Sequence, residues 1–296
     1  MTQPSRRPQA ATIIRWTGTL VSSALFVWLL SRQQWSVVLE KASNLEWWAI
    51  FASLGLYLIS YSCNTLRWCI LLWSQDVKIS FWRALRIAWA GNFASNFLPS
   101  TIGGDGFRML AIYPYTNSKT LAIGSVALDR LINMAAMSCL LPLPLAIFGT
   151  RLAALTAITI PVPVQKLVEH YFPKIAEASK TWASRPMSFV WAFLAAWPSN
   201  LAPILVSYVI ALQLGMNVSI FDVIAVQTVS YFLSVLPISV NGYGLREMVF
   251  TTLYASLGAN IGQASTLALL SRLLMVLATL PGGLWLTGAA MGNQEE

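Results

Sequence analysis

Eight charged residues, Arg67, Asp105, Arg108, Asp129, Arg130, Arg246, Glu247 and Arg272, fall inside apolar stretches of this 296-residue chain or at breaks in them. A charge at the centre of a membrane helix costs about 2.5–3.5 kcal/mol on the insertion scale. Residues near an interface lower that cost by snorkelling, yet a set of eight calls for partners or a polar cavity. Mutual neutralisation is one reading, with Asp105 against Arg108 one helical turn on and Glu247 against an arginine of another span. It cannot be complete, because five arginines face three carboxylates. An anion such as phosphate would supply the missing charge, since a guanidinium matches its oxygens and stays ionised when partly buried. Arg108 and Arg246 are the expected centre of such a site, with Arg67, Arg130 and Arg272 in support. Asp129 and Arg130 are sequence neighbours and do not face each other on a helix. Arg130 is expected toward Asp105 and Asp129 toward Arg108, and an ion-pair network and a transport role both fit these two.

Arg108 and Arg246 close two copies of one pattern, LPxxxxGxGxR, at Leu98–Arg108 and Leu236–Arg246, 138 positions apart. Each copy interrupts a hydrophobic run. A Pro/Gly break frees backbone groups that hydrocarbon cannot satisfy, so it belongs where backbone is buried in protein or lines a wet cavity. Paired breaks in two halves point to a transporter-like binding site. If a half-helix begins after each break, the N–H groups near Gly103, Gly104, Asn241, Gly242 and Tyr243 become further anion donors. Asn64, Asn92, Asn96 and Asn133 add polar groups within spans, for interhelical hydrogen bonds or cavity lining.

The elements that must position these residues are membrane helices. The chain is 56% hydrophobic and only 10% charged, against roughly 25% charged in soluble domains, and its mean hydropathy is +0.62. Crossing a bilayer takes about 20 apolar residues. Seven runs qualify, at 13–30, 46–73, 84–99, 121–149, 187–212, 219–240 and 264–290, while 151–164 and 248–258 read as half-helices, interfacial segments or further spans. Arg6 and Arg7 precede the first run as in a signal peptide, but no small-residue cleavage site follows Leu30, so it reads as a retained helix. Lys and Arg in short loops set orientation. Arg6, Arg7 and Arg15, then Lys78, Arg83 and Arg86, then Arg151, Lys166, Lys174, Lys180 and Arg185 place the N-terminus in the cytoplasm. The third span then meets its break running outward and the sixth meets its own running inward, as an inverted repeat would. The expected fold is all-α and polytopic, with about seven or eight transmembrane helices and two Pro/Gly-broken, re-entrant segments. One transmembrane domain covers 1–296, with a first repeat near 46–149, a polar cytoplasmic loop near 165–186 and a second repeat near 187–290.

Other chemistries find little material. Cys63, Cys69 and Cys139 lie in predicted spans without metal spacing, and the single histidine, His170, supports no Ser-His-Asp mechanism. No nucleotide-binding fingerprint is present, and neither a cofactor nor a metal is expected. The net charge of +8 is spread over short loops, which fits positive-inside bias and anionic lipid better than nucleic acid. Trp47, Trp48, Trp73, Trp82 and Trp197 suit interfacial belts.

The ordered set Asn96-Phe97-Leu98-Pro99, Gly103-Gly104-Asp105, Arg108, Ser125, Asp129-Arg130, Leu236-Pro237, Asn241-Gly242-Tyr243-Gly244, Arg246-Glu247 and Pro281-Gly282-Gly283, preceded by Arg67-Trp68, resembles the lysylphosphatidylglycerol synthase transmembrane-region family of flippase-like membrane proteins. The resemblance covers nearly the whole chain. Where that family usually shows Glu-Arg this chain has Asp129-Arg130, which keeps the charge and shortens the reach. The resemblance implies movement of lipids or lipid-linked groups between leaflets of the cell (inner or plasma) membrane. Fused members carry a soluble aminoacyl-transfer domain after the membrane part; this chain ends at Glu296 directly after its last span, so that reaction is not expected. Three classes follow. First is a translocase for an anionic phospholipid or polyprenyl-phosphate-linked cargo, more a transporter than an enzyme. Second is a membrane-embedded transferase with Asp105, Asp129 or Glu247 as general base. Third is an accessory partner of a separate lipid or glycan synthase.

Overall fold

A computed structural model describes residues 45–96, 101–156, 185–235 and 245–290, with Ser43 and Trp182. Ten helical segments cover them. The first five are α1 (Trp47–Trp73), α2 (Phe81–Ser95), α3 (Thr101–Thr116), α4 (Lys119–Ser138) and α5 (Pro142–Thr156). The second five are α6 (Met187–Gln213), α7 (Ile220–Val235), α8 (Leu245–Ser256), α9 (Ile261–Thr279) and α10 (Pro281–Ala290).

Local chemistry sets the boundaries. Asp76, with φ 58°, turns the chain after α1, a conformation that Asp tolerates better than most residues. Ser80 and Ser118 accept from the N–H groups of Arg83 and Leu121 to cap α2 and α4. Before α7, Ser219 Oγ accepts from the Asp222 N–H while Asp222 Oδ2 accepts from the Ser219 N–H, a reciprocal capping box. Gly215 ends α6 at φ 67°, the left-handed region open to glycine.

Four helices among the described residues are long and apolar enough to cross a membrane: Trp47–Trp73, Lys119–Ser138, Met187–Gln213 and Ile261–Trp285. Their faces are inverted relative to a soluble protein. On α1, Ser53, Ser60 and Arg67 recur every seventh residue and are buried, while Phe51, Ile59 and Leu66 are exposed. Such a pattern buries polar groups against neighbouring helices and offers apolar side chains to lipid.

Among the described residues the runs at 84–99 and 219–240 hold helices of 15 and 16 residues. Each is about 22–24 Å long at 1.5 Å per residue, short of a core about 30 Å thick. The run at 121–149 divides at Cys139–Leu141 into α4 and α5, Pro142 opening the second helix. The run at 248–258 lies largely in the 12-residue α8. The 13–30 segment, most of 151–164 and most of the 165–186 loop lie outside the described residues. Trp47, Trp48, Trp73 and Trp82 are exposed at helix ends, whereas Trp197 sits mid-helix in α6, half-buried and edge-on to Phe193. Cys139 is exposed at the end of α4 and not inside a span.

α2 and α3 fold back on each other. At the tip, the carbonyl oxygen of Gly104 would lie 2.9 Å from a Cβ on Gly91, and a Cβ on Gly104 would collide with the Gly91 carbonyl and Ser95 Oγ. At the base, Arg83 Cζ lies 5.7 Å from the Tyr115 ring centroid. The opposite flank of α2 meets α10, where Gly282 rests on the Trp89 carbonyl and a Gly283 Cβ would come within 3.1 Å of the Phe93 ring.

α1 and α6, each of 27 residues, pack antiparallel. The Glu46 N–H donates to Gln213 Oε1 (3.4 Å) at one end, Ser60 Oγ donates to the Ser199 carbonyl (2.7 Å) midway, and Arg185 pairs with Asp76 (2.9 Å) at the other. The middle contact has a covalent cause. Pro203 lacks the N–H that would have bonded the carbonyl four residues earlier, and Ser60 satisfies it instead. The helix lengths 27, 15, 16 and 20 of α1–α4 recur as 27, 16, 12 and 19 in α6–α9. Packing recurs too: α1 meets α9 as α6 meets α4, and α2 meets α10 as α7 meets α5.

Candidate functional site

Three helices of the first half build one charged cluster. Arg67, 2% exposed on α1, donates from Nε to Asp129 Oδ1 (2.7 Å), from NH2 to Asn64 Oδ1 (3.1 Å) and from NH1 to Asn133 Oδ1 and Ser199 Oγ (3.4 Å). Asn64 sits one turn before Arg67 on α1, and Asn133 one turn after Asp129 on α4, so each helix presents a matched polar face. The second oxygen of Asp129 takes Arg108 NH2 at 3.1 Å. Arg108 also lies 3.7 Å from Asp105, and Arg130 closes the set on Asp105. The expected partners of Asp129 and Arg130 are therefore met.

Arg108 is held by more than charge. Its Cζ lies 4.3 Å from the Trp68 ring centroid, within cation–π range. Trp68 is fully buried and oriented by its indole N–H, which donates to Ser125 Oγ (3.2 Å). A Cβ on Gly91 would lie 3.0 Å from Arg108 Cγ, so the glycine contact of α2 with α3 also makes room for the arginine's stem. The Arg108 Nε is buried with no hydrogen-bond partner among the described residues.

The second half repeats part of this. Arg246 and Glu247 open α8, and the acidic side chain in the first turn suits the positive helix end. Glu247 accepts from Arg272 Nε on α9 at 2.9 Å, both side chains being buried. The pair is 25 residues apart, the separation that also joins Asp105 to Arg130. Arg246 Cζ lies 4.9 Å from the Phe250 ring centroid, and among the described residues Arg246 forms no ion pair.

The eight charges thus form two clusters. Three arginines meet two aspartates in the first; in the second Arg272 pairs with Glu247 and Arg246 stands next to that glutamate in sequence without an ion pair among the described residues. Tyr57 of α1 donates to the carbonyl of Ser271, beside Arg272, at 3.0 Å. Tyr57 and Arg67 are ten residues apart, about 15 Å along the helix. Tyr61 lies between them and donates to the Met275 carbonyl (3.3 Å).

Gly104 serves helix packing, its missing side chain being filled by α2, and Gly103 precedes it in the first turn of α3, where N–H groups lack helical acceptors. Asn241 and Gly242 lie outside the described residues. Three contributors escape sequence reasoning. Ser199 joins the Arg67 shell, and Pro203 four residues later was its one signal. Tyr231 of α7 accepts from Asn133 Nδ2 at 2.9 Å and so ties the first cluster to the second half. Trp182, from the polar loop, is fully buried with its N–H on the Leu71 carbonyl (2.9 Å).

The family described as Lysylphosphatidylglycerol synthase TM region matches residues 15–168 and 156–282. Together these ranges take in both clusters and both motif copies. The chain belongs to this family. It is accordingly a multi-pass, all-helical member of the lysylphosphatidylglycerol synthase TM region family. No match is found among curated proteins.

Proposed function

We propose that the protein is a lipid translocase, moving a phosphate-bearing or lipid-linked amphipathic substrate between leaflets of the cell membrane without altering it. One observation carries the reading. Arg108 and Arg246, the equivalent last residues of the two motif copies, belong one to each cluster, and each cluster holds one more arginine than it holds carboxylates. A headgroup phosphate supplies the charge that each lacks.

In this reading α2–α3 and α7–α8 are re-entrant hairpins of an inverted repeat, about 46–149 and 187–290. The recurring helix lengths, the antiparallel α1 and α6 and the exchanged packing partners support that relation. The hairpins enter from opposite faces, and each carries an arginine inward on the helix after its break. Arg67, Arg130 and Arg272 hold Asp129, Asp105 and Glu247, which would otherwise repel an anion from Arg108 and Arg246. Gly103, Gly104, Asn241 and Gly242 offer backbone donors around the same headgroup. The N-terminus is cytoplasmic, and a separate lipid or glycan synthase supplies the cargo. The transferase reading is less well supported, because each of its three candidate bases faces an arginine.

The test is leaflet exchange in liposomes containing phosphatidylglycerol. The wild-type protein is expected to exchange the lipid faster than protein-free vesicles, with its headgroup chemically unchanged. Arg108→Gln and Arg246→Gln protein that still purifies monodisperse should lose that exchange. Exchange no faster than in protein-free vesicles overturns the reading, and a modified headgroup favours the transferase.

A further inference from the structure

We infer that Tyr231, Gln227 and Asn200 form a neutral subsite beside the first cluster that takes a hydroxyl of the headgroup, a glycerol or sugar hydroxyl next to the phosphate; the inference rests on the reading of Arg108 as part of the headgroup site. The chemistry starts at Asn133. Its Oδ1 accepts from Arg67 NH1, and because a guanidinium only donates, the other end of the carboxamide is the amine. That amine donates to Tyr231 Oη at 2.9 Å. The tyrosine oxygen is therefore the acceptor in this bond, and its own proton meets no acceptor among the described residues.

Two carboxamides stand near this phenol. Gln227 lies one turn before Tyr231 on the same face of α7, about 6 Å away along the helix, and its Oε1 is buried without a hydrogen-bond partner among the described residues. Asn200 of α6 follows Ser199, whose Oγ lies 3.4 Å from Arg67 NH1, and its Nδ2 is likewise buried and unmet. Ala196, one turn before Asn200, shares a packed cluster with Ile132 and Ala136 of α4, and α6 also packs on α7. Asn and Gln within membrane helices ordinarily bond across the helix contact, and an unmet amide away from water is costly. A phosphate only accepts and an ammonium only donates. Neither satisfies two carboxamides, each with a donor and an acceptor, together with a phenol that has a proton to give. A hydroxyl does both, and it is uncharged like the three side chains. Asp129, which holds Arg108, sits one turn before Asn133, about 6 Å along α4, so a phosphate at Arg108 and a hydroxyl at Tyr231 fall within one headgroup.

The deciding experiment is equilibrium binding to the purified full-length protein in neutral detergent, with short-chain phosphatidylglycerol, phosphatidylinositol and phosphatidylmethanol as probes. All three carry one phosphodiester charge, and phosphatidylmethanol alone lacks a headgroup hydroxyl. At least one hydroxylated lipid is expected to bind about tenfold more tightly than phosphatidylmethanol, the effect of one or two net hydrogen bonds. The tighter of the two names glycerol or sugar as the source of the hydroxyl. Equal binding of all three overturns the subsite and leaves the phosphate reading standing, the three side chains then holding water only. Binding of none overturns the phosphate reading and the subsite with it. Gln227→Met and Asn200→Leu each remove a buried group that bonds nothing among the described residues, so the fold loses no hydrogen bond by either change. In each the preference for the hydroxylated lipid should shrink by about threefold or more. A preference unchanged in both variants overturns the assignment, and one lost in Tyr231→Phe as well supports it.

Discussion

Glu247 and Arg272 meet at 2.9 Å with both side chains buried, at the sequence separation that also brings Asp105 to Arg130. In both halves a short helix that follows a Pro/Gly break supplies the carboxylate, and the next long helix supplies the arginine. The pairing fixes the short helix at a set depth against its neighbour. Beside that pair stands the arginine that ends each motif, Arg108 bonded to Asp129 in the first half and Arg246 in no ion pair among the described residues in the second, and the predictions below separate Arg246 from its structural neighbours.

Arg246 and Arg272 should behave differently when each is changed to Gln. Arg272→Gln strands Glu247 as a buried unpaired carboxylate, a loss that typically costs about 3–5 kcal/mol. Arg246→Gln breaks no ion pair among the described residues, so thermal unfolding in detergent should stay within about 1 kcal/mol of the parent while affinity for phosphatidylglycerol falls. A similar Tm loss in both variants would remove the distinction.

Asp129 neutralises two buried guanidiniums, Arg67 at 2.7 Å and Arg108 at 3.1 Å. Asp129→Asn should therefore be the most destabilising single change at the first cluster, by about 3–5 kcal/mol. Pairing it with Arg67→Met should recover part of the loss, because one uncompensated charge is then removed. Chemical denaturation of the single and double variants measures the coupling.

Gly104 and Gly106 lie two residues apart on α3 and should give opposite results. An added Cβ at Gly104 collides with backbone of α2, while one at Gly106 meets nothing within 4 Å. Gly104→Ala should destabilise by about 1–3 kcal/mol through forced separation of the hairpin. Gly106→Ala should be neutral or stabilising by about 0.4–1 kcal/mol. Melting curves of the two variants decide it.

Ser60→Ala removes the side chain that, among the described residues, satisfies the Ser199 carbonyl left open by Pro203. The expected cost is about 1–3 kcal/mol, that of an unmet buried acceptor. Restoring a backbone donor by Pro203→Ala in the same chain should reduce that cost. No recovery would show that α6 does not close its ladder there.

Much of the site was legible in the residues themselves. Eight charges in apolar sequence and five arginines against three carboxylates establish that anions or partners are needed, whatever the fold. The i,i+1 geometry of Asp129 and Arg130 turns them to different neighbours, because a helix places adjacent residues about 100° apart; the expected Arg108 and Asp105 are met, while Arg67, the nearer partner of Asp129, was not foreseen. Composition alone makes the chain a membrane protein. Apolar length could not show how α2 and α3 pack, since hydropathy is a local sum while their contact depends on Gly91 meeting Gly104. Nor could it divide the surplus charge into two clusters. Arg67 reaches Asp129 across 62 residues of chain, and Asn133 reaches Tyr231 across 98, so these partners exist only once α4 packs between α1 and the second half. The sequence determines which charges must be satisfied; packing decides which neighbour satisfies each.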